Sequence, residues 1–237
     1  MRVFVAGASG VIGRQLLPML VAAGHEVTGM TRSWRGAEAV MAAGALVAIA
    51  DVYDRRALAE WLLRTAPEVV VHQMTDLSVP TADDLGPERL RANARIREEG
   101  TANLVDASAA VGVRRIVAQS IGWLYAPGRE PHREEDPLQL VEDGGGVNVT
   151  RRGTYELERT VLTDPRFEGV VLRYGRLYGE GTWSMTPPEP PTVHVTAAAR
   201  AATLAVDRGA PGAYNIADPG PLDTTRAREQ LGWDPTA

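Results

Sequence analysis

Residues 1–30 read MRVFVAGASGVIGRQLLPMLVAAGHEVTGM, and their order decides the fold. Met1 to Ala6 is an apolar run of strand length, and Gly7-Ala8-Ser9-Gly10-Val11-Ile12-Gly13 is a glycine-rich turn. Arg14 to Ala23 carries apolar residues at helical spacing, Gly24-His25-Glu26 punctuates, and Val27 to Met30 opens a second strand. Strand, loop, helix and strand within thirty residues have the proportions of a βαβ unit. Glycine at the first, fourth and seventh places of the loop lets the backbone turn sharply and come close to a ligand. The helix that follows aims its first N–H groups at the same point. That pairing suits the pyrophosphate of a dinucleotide. Gly7, Ser9, Gly10, Val11, Ile12 and Gly13 are therefore candidate cofactor contacts.

Outward from this unit the alternation continues. Trp34 to Ala43 reads as helix, Leu46 to Ala50 as strand, Arg55 to Thr65 as helix and Glu68 to His72 as a buried strand. Arg89 to Val111 makes a long helix ending at Gly112, and Arg115 to Ser120 the next strand. Residues 127–150 turn charged and rich in Pro and Gly, including Gly144-Gly145-Gly146, and read as a mobile surface loop. A helix up to Asp164-Pro165, a strand at Gly169 to Arg173, a proline-heavy connector from Thr182 to Pro191, a helix at Thr196 to Arg208 and a short strand at Ala213 to Ile216 complete the chain. All-apolar strands alternating with helices predict an α/β fold: a doubly wound parallel sheet of Rossmann type, covered on both faces. The expected organisation is one domain over residues 1–237, with roughly 174–237 forming a reduced C-terminal substrate lobe.

Composition narrows the function. The formal charge of -5 argues against a non-specific nucleic-acid or anionic-membrane binder. No run is apolar enough to span a bilayer, and the first residues lack the layout of a signal peptide, so a cytoplasmic location is expected. Without cysteine there is neither disulfide nor thiolate, and the four histidines, His25, His72, His132 and His194, show no metal-ligand spacing. All 25 basic residues are arginine. A chain without lysine forms no Schiff base and holds no phosphate with an ammonium.

The end of the second strand bears on which dinucleotide is expected. A carboxylate there would accept bonds from a free ribose 2′-hydroxyl, but the residues are Met30-Thr31-Arg32-Ser33. Arg32 with neighbouring hydroxyls suits a 2′-phosphate, so NADP is favoured over NAD, and Arg14 is placed to assist.

These residues, with those that follow, resemble the extended short-chain dehydrogenase/reductase superfamily in its NAD-dependent epimerase/dehydratase branch. The resemblance runs almost the full length. Ala50-Asp51-Val52-Tyr53-Asp54 is similar to the segment that meets the adenine, Val69-Val70-Val71-His72 to the fourth strand, and Gly100-Thr101-Ala102-Asn103-Leu104 to the helix after it. Gly112 to Ser120 resembles the strand that delivers the catalytic hydroxyl, and Leu172-Arg173-Tyr174-Gly175-Arg176-Leu177-Tyr178-Gly179 the strand and loop beside the nicotinamide. Val193-His194-Val195 and Leu231-Gly232-Trp233 match two later motifs. The resemblance implies that Asp51, Val52 and Gln73 also contact the cofactor, that Ser120 polarises the reacting oxygen, and that the chain forms a homodimer.

The departures bear on mechanism. The family pairs Tyr-x-x-x-Lys on one helix face, the lysine orienting the cofactor ribose and lowering the tyrosine pKa. Two registers are open here. In the first, Tyr155 and Arg159 take those positions, although only about 15 Å of helix then remains before Pro165. In the second, aligning Glu158 with the family's downstream glutamate puts Thr150 and Thr154 there. Gln73, Met74 and Thr75 replace small residues after the fourth strand, His72 reads as structural, and Trp123 and Tyr125 either wall the pocket or sit in the core. The leading expectation is an NADP(H)-binding oxidoreductase or epimerase acting at a carbonyl or carbinol carbon of a small metabolite. The alternatives are a redox-silent dinucleotide sensor or scaffold, and a non-redox isomerase or lyase using the same pocket.

Overall fold

The computed structural model describes residues 1–77, 79, 81–139 and 146–236. Seven strands form one parallel sheet: β1 (Arg2–Ala6), β2 (Glu26–Thr31), β3 (Leu46–Ile49), β4 (Val69–His72), β5 (Arg115–Ile121), β6 (Glu168–Tyr174) and β9 (Gly212–Ile216). Their order is β3-β2-β1-β4-β5-β6-β9, the doubly wound arrangement expected from the sequence. Side chains alternate between its faces: Val3 and Val5 enter the core under α1 (Val11–Ala22) and α7 (Val195–Ala205), while Phe4 and Ala6 enter the core under α3 (Arg55–Thr65), α5 (Thr101–Ala110) and α6 (Gly146–Thr163). Covering both faces is what makes β4 and β5 buried at every residue.

Local chemistry sets the ends of the helices. Ser33 Oγ accepts from Gly36 N at 3.2 Å to start α2 (Trp34–Ala42), and Asp54 Oδ1 accepts from Ala57 N at 3.0 Å to start α3. The start of α1 differs: its cap is Gly10, no side chain bonds there, and no acid stands in the first turn. Those N–H groups are left for something else.

Three features depart from the sequence reading. The long helix is two α-helices, α4 (Pro87–Arg95) and α5, joined by a π turn at Ile96–Gly100. Two short strands, β7 (Arg176–Tyr178) and β8 (Thr192–His194), pair in parallel outside the main sheet. The loop expected over 127–150 is anchored across its first half, which is a correction. Ala126 N donates to Pro137 O at 2.8 Å, Gln139 N to Leu124 O at 2.7 Å, and His132 N to Pro221 O at 2.8 Å. Its last residues already belong to α6, and Gly144 and Gly145 lie outside the described residues. Near the C-terminus, Trp233 is 1% exposed and donates Nε1–H to Ala197 O at 2.9 Å, fastening that segment to α7.

Candidate active site

The sheet reverses its winding between β1 and β4, and in doubly wound sheets the ligand crevice lies beyond the carboxyl ends of the strands at such a reversal. Gly7 closes β1 at φ +87°, and a Cβ on it would lie 2.6 Å from the carbonyl carbon of Gln73, just beyond β4. A Cβ on Gly13 would lie 2.4 Å from Ala8 O, so α1 seats directly against the loop. Only glycine permits both approaches. The loop, the uncapped start of α1 and the Gln73 Oε1 atom, which is buried without a hydrogen-bond partner among the described residues, all fit a dinucleotide diphosphate and its flanking ribose. Ser9, Val11 and Ile12 stand at this turn with the glycines.

At the other end of the crevice, Thr31 Oγ1 bonds Ser9 Oγ at 3.0 Å. Arg32 is exposed beyond β2, Arg35 is exposed in the first turn of α2, and Arg14 donates Nε–H to Ser9 O at 2.9 Å. None of these three arginines forms an ion pair among the described residues. Asp51 Oδ1 accepts from Tyr53 N at 2.9 Å, and Val52 is buried with its carbonyl accepting from Asn103 Nδ2 at 3.1 Å.

The predicted catalytic residues do not converge. Ser120 is 2% exposed and donates to Glu158 Oε1 at 2.6 Å. Glu158 also takes Arg173 through Nε at 3.0 Å and Nη2 at 2.7 Å. Arg173 Nη1 donates to Tyr125 OH at 2.9 Å, and Tyr125 OH to Asn215 Oδ1 at 2.6 Å. Burial alone would lower the Arg173 guanidinium, but its bonds to Glu158 hold it above the ordinary arginine value. Ser120, Arg173 and Asn215 are in register across β5, β6 and β9, so a polar brace crosses three strands. Tyr125 belongs to this brace, whereas Trp123 is 37% exposed at the rim with Arg176 over its ring at 5.2 Å.

Thr150, Thr154 and Glu158 recur every four residues along α6, and Thr154 and Glu158 are buried. Tyr155 and Arg159 turn outward. Tyr155 is 39% exposed, and Arg159 is bonded to Glu156 at 2.8 Å. Neither meets Ser120 by a hydrogen bond among the described residues. Arg97, which the sequence did not single out, reaches Thr154 Oγ1 from the π turn at 2.9 Å. His72 has both ring nitrogens engaged, with Thr101 Oγ1 at 2.9 Å and with Met74 N at 3.1 Å. Burial, and then the charge of Arg97, lower its pKa to about 4, so it is neutral at pH 7. Tyr174, whose OH accepts from Gln73 Nε2 at 3.4 Å, is raised by burial well above the ordinary phenol value. Across the rim, Trp183 Nε1 donates to Val79 O at 2.9 Å.

Residues 3–207 match the model of the NAD dependent epimerase/dehydratase family. The chain belongs to this family. A 3-diazoavenalumate denitrifying reductase from Streptomyces is 46% identical to this family member over 184 residues, covering 77% of the chain and 58% of the relative. A 4-hydroxy-2-methyl-3-oxo-4-farnesyl-3,4-dihydroquinoline-1-oxide ketoreductase from Stigmatella aurantiaca is 30% identical over 190 residues, covering 79% and 53%. The chain thus spans little more than half the length of these curated relatives. Among solved structures, UDP-glucose 4-epimerase of Thermotoga maritima with UDP-glucose superposes at TM-score 0.80 with 20% identity, covering 100% of this chain and 94% of that one. The Thermus thermophilus UDP-glucose 4-epimerase complex with NAD gives 0.73 and 23%, covering 99% and 85%. At these identities the two structures speak for the fold. No helix among the described residues is long and apolar enough to cross a membrane.

Proposed function

We propose that this family member is an NADP(H)-dependent reductase of a small organic molecule. The observation that carries the cofactor preference is the rim at the end of β2, where Arg32 follows the strand, Arg35 stands in the first turn of α2, Arg14 is bonded to Ser9 beside Thr31, and no carboxylate closes the strand. A 2′-hydroxyl calls for an acceptor there, whereas a 2′-phosphate calls for guanidinium groups. The names of the two relatives, both reductases, support the direction of the reaction. Gly7, Ser9, Gly10, Val11, Ile12 and Gly13 would hold the diphosphate, Asp51 and Val52 the adenosine, and Gln73 the nicotinamide half. When bound, the nicotinamide supplies the hydride.

The chain's own residues constrain the proton. With Ser120 committed to Glu158, and with Thr150 and Thr154 on the inner face of α6, no phenol–ammonium pair serves the substrate oxygen. A substrate in which hydride replaces a leaving group needs no such donor. With a diazo-bearing carbon, the dinucleotide held by the glycine loop would supply the hydride that takes the place of the nitrogen group, which would leave as dinitrogen with the electron pair of the broken C–N bond. The denitrifying relative makes that class the first to screen.

The test is calorimetric titration with NADPH and NADH, before and after Arg32→Ala. Hydrogen bonds to a charged group contribute about 1.5–3 kcal/mol. NADPH should therefore bind at least tenfold more tightly than NADH, and Arg32→Ala should remove most of that gap. Preference for NADH, or no binding of either, would overturn the proposal.

A further inference from the structure

Arg97 is 3% exposed, yet it has no carboxylate of its own. On its own turn, Glu98 faces Arg152 at 3.7 Å and Glu99 is bonded to Arg95 at 2.6 Å, both pairs at the surface. From α6, Glu158 exerts an attraction on Arg97, but its two oxygens already take Arg173 and Ser120. From β4, the neutral His72 faces it. Two guanidinium groups thus share one buried carboxylate. Burial lowers the Arg97 pKa to about 10, with the charge of Glu158 opposing, so the group stays charged at neutral pH. A buried cation without full compensation is a standing cost to the fold, and such groups concentrate where a ligand uses them.

The backbone places it deliberately. The π turn at Ile96–Gly100 inserts one residue into an otherwise continuous helix, a distortion frequent at functional sites. Arg97 shares the inner face with Thr101, Leu104 and Ser108, all buried. Its one side-chain hydrogen bond among the described residues goes to Thr154, one turn before Glu158 on α6.

We propose that Arg97 is the cofactor-positioning cation of this chain, delivered from the helix opposite α6 to the place at Thr154 that a lysine of α6 would otherwise fill. It would donate to the ribose hydroxyls of the nicotinamide half. A planar guanidinium offers several fixed donors to such a pair of oxygens, where an ammonium offers a point charge. The proposal rests on the dinucleotide reading above, and the experiment separates the two.

NADPH and adenosine 2′,5′-bisphosphate, which lacks the nicotinamide half, are titrated against wild type, Arg97→Met and the exchange variant Arg97→Asn/Thr154→Lys, with urea unfolding of each apo protein. Arg97→Met should lose at least tenfold in NADPH affinity, keep its affinity for the bisphosphate within twofold, and unfold at the same or a higher urea concentration than wild type. The exchange variant should recover NADPH affinity to within about threefold. Unchanged NADPH affinity in Arg97→Met would overturn the proposal while leaving the dinucleotide reading intact. So would a clear loss of apo stability with both affinities falling alike, which marks a structural arginine. If Arg97→Met does not fold, Arg97→Gln, which keeps a donor to Thr154 without the charge, is titrated in its place and must show the same selective loss of NADPH affinity. Failure of wild type to bind either nucleotide would sink the dinucleotide reading itself.

Discussion

Helix α6 carries a buried and an exposed ion pair within one turn, and replacing each glutamate by glutamine tests the brace beneath the site. Glu158 and Arg173 have side chains 5% and 7% exposed, whereas Glu156 and Arg159 are 33% and 53% exposed. Glu158→Gln removes the charge and turns an amide NH2 toward a guanidinium that only donates. Arg173 and Arg97 are then buried without a carboxylate between them. Breaking a buried pair by removing one partner costs about 3–5 kcal/mol, a large share of a total near 5–15 kcal/mol. Glu156→Gln should cost about 0–1 kcal/mol, since solvent screens that pair. With a urea m-value of about 3 kcal/mol/M, the midpoint of Glu158→Gln should fall by about 1–1.7 M. Equilibrium unfolding at pH 7 measures both. A loss below about 1 kcal/mol for Glu158→Gln, or equal losses for the two variants, would refute the reasoning.

Gly13→Ala places a methyl group 2.4 Å from Ala8 O, so α1 must move off the loop. Overpacking of this kind costs about 1–3 kcal/mol, and dinucleotide affinity should fall with it; calorimetry showing wild-type affinity would contradict the cradle. His72 gives a pH dependence. Its pKa is lowered by burial to about 4 in the folded chain against an ordinary value of 6.5, so its contribution is fully present above pH 6.5 and is lost as pH falls toward 4. By proton linkage, about 2 kcal/mol should be lost between pH 7.5 and pH 5. Unfolding of wild type and His72→Gln at both pH values should differ in slope by that amount, and parallel slopes would rule out His72 as the source.

The strands and most helices were legible because each buries an apolar face whose period the sequence displays. Arg55–Thr65 was read to the residue. What escaped was set by contacts distant in sequence. The spacing of Tyr155 and Arg159 fits a catalytic pair as well as it fits an exposed helix face, and only the burial of Glu158 against β5 and β6 shows which side faces inward. Ser120 sits at a strand end where either a substrate or a glutamate from α6 could meet it. Strands β7 and β8, three residues each, are too short to carry a period. The 127–139 segment is polar, as a loose loop would be, but bonds at Leu124, Pro137 and Pro221 tie it down. Arg97 did carry a signal: it occupies a position where the helical period at Thr101, Leu104 and Ser108 calls for an inward residue.

The brace from Ser120 through Arg173 to Asn215 spans three strands and ties in Tyr125 and Glu158, so the ground beneath the crevice behaves as one piece. Its rim is held differently: the segment after β4 and the segment after β7 meet through the indole of Trp183 on the carbonyl of Val79. Substitutions along Thr182–Pro191 can therefore reshape what the crevice admits without disturbing the cross-linked strands below. New substrates can be acquired at the edge while the foundation is inherited unchanged.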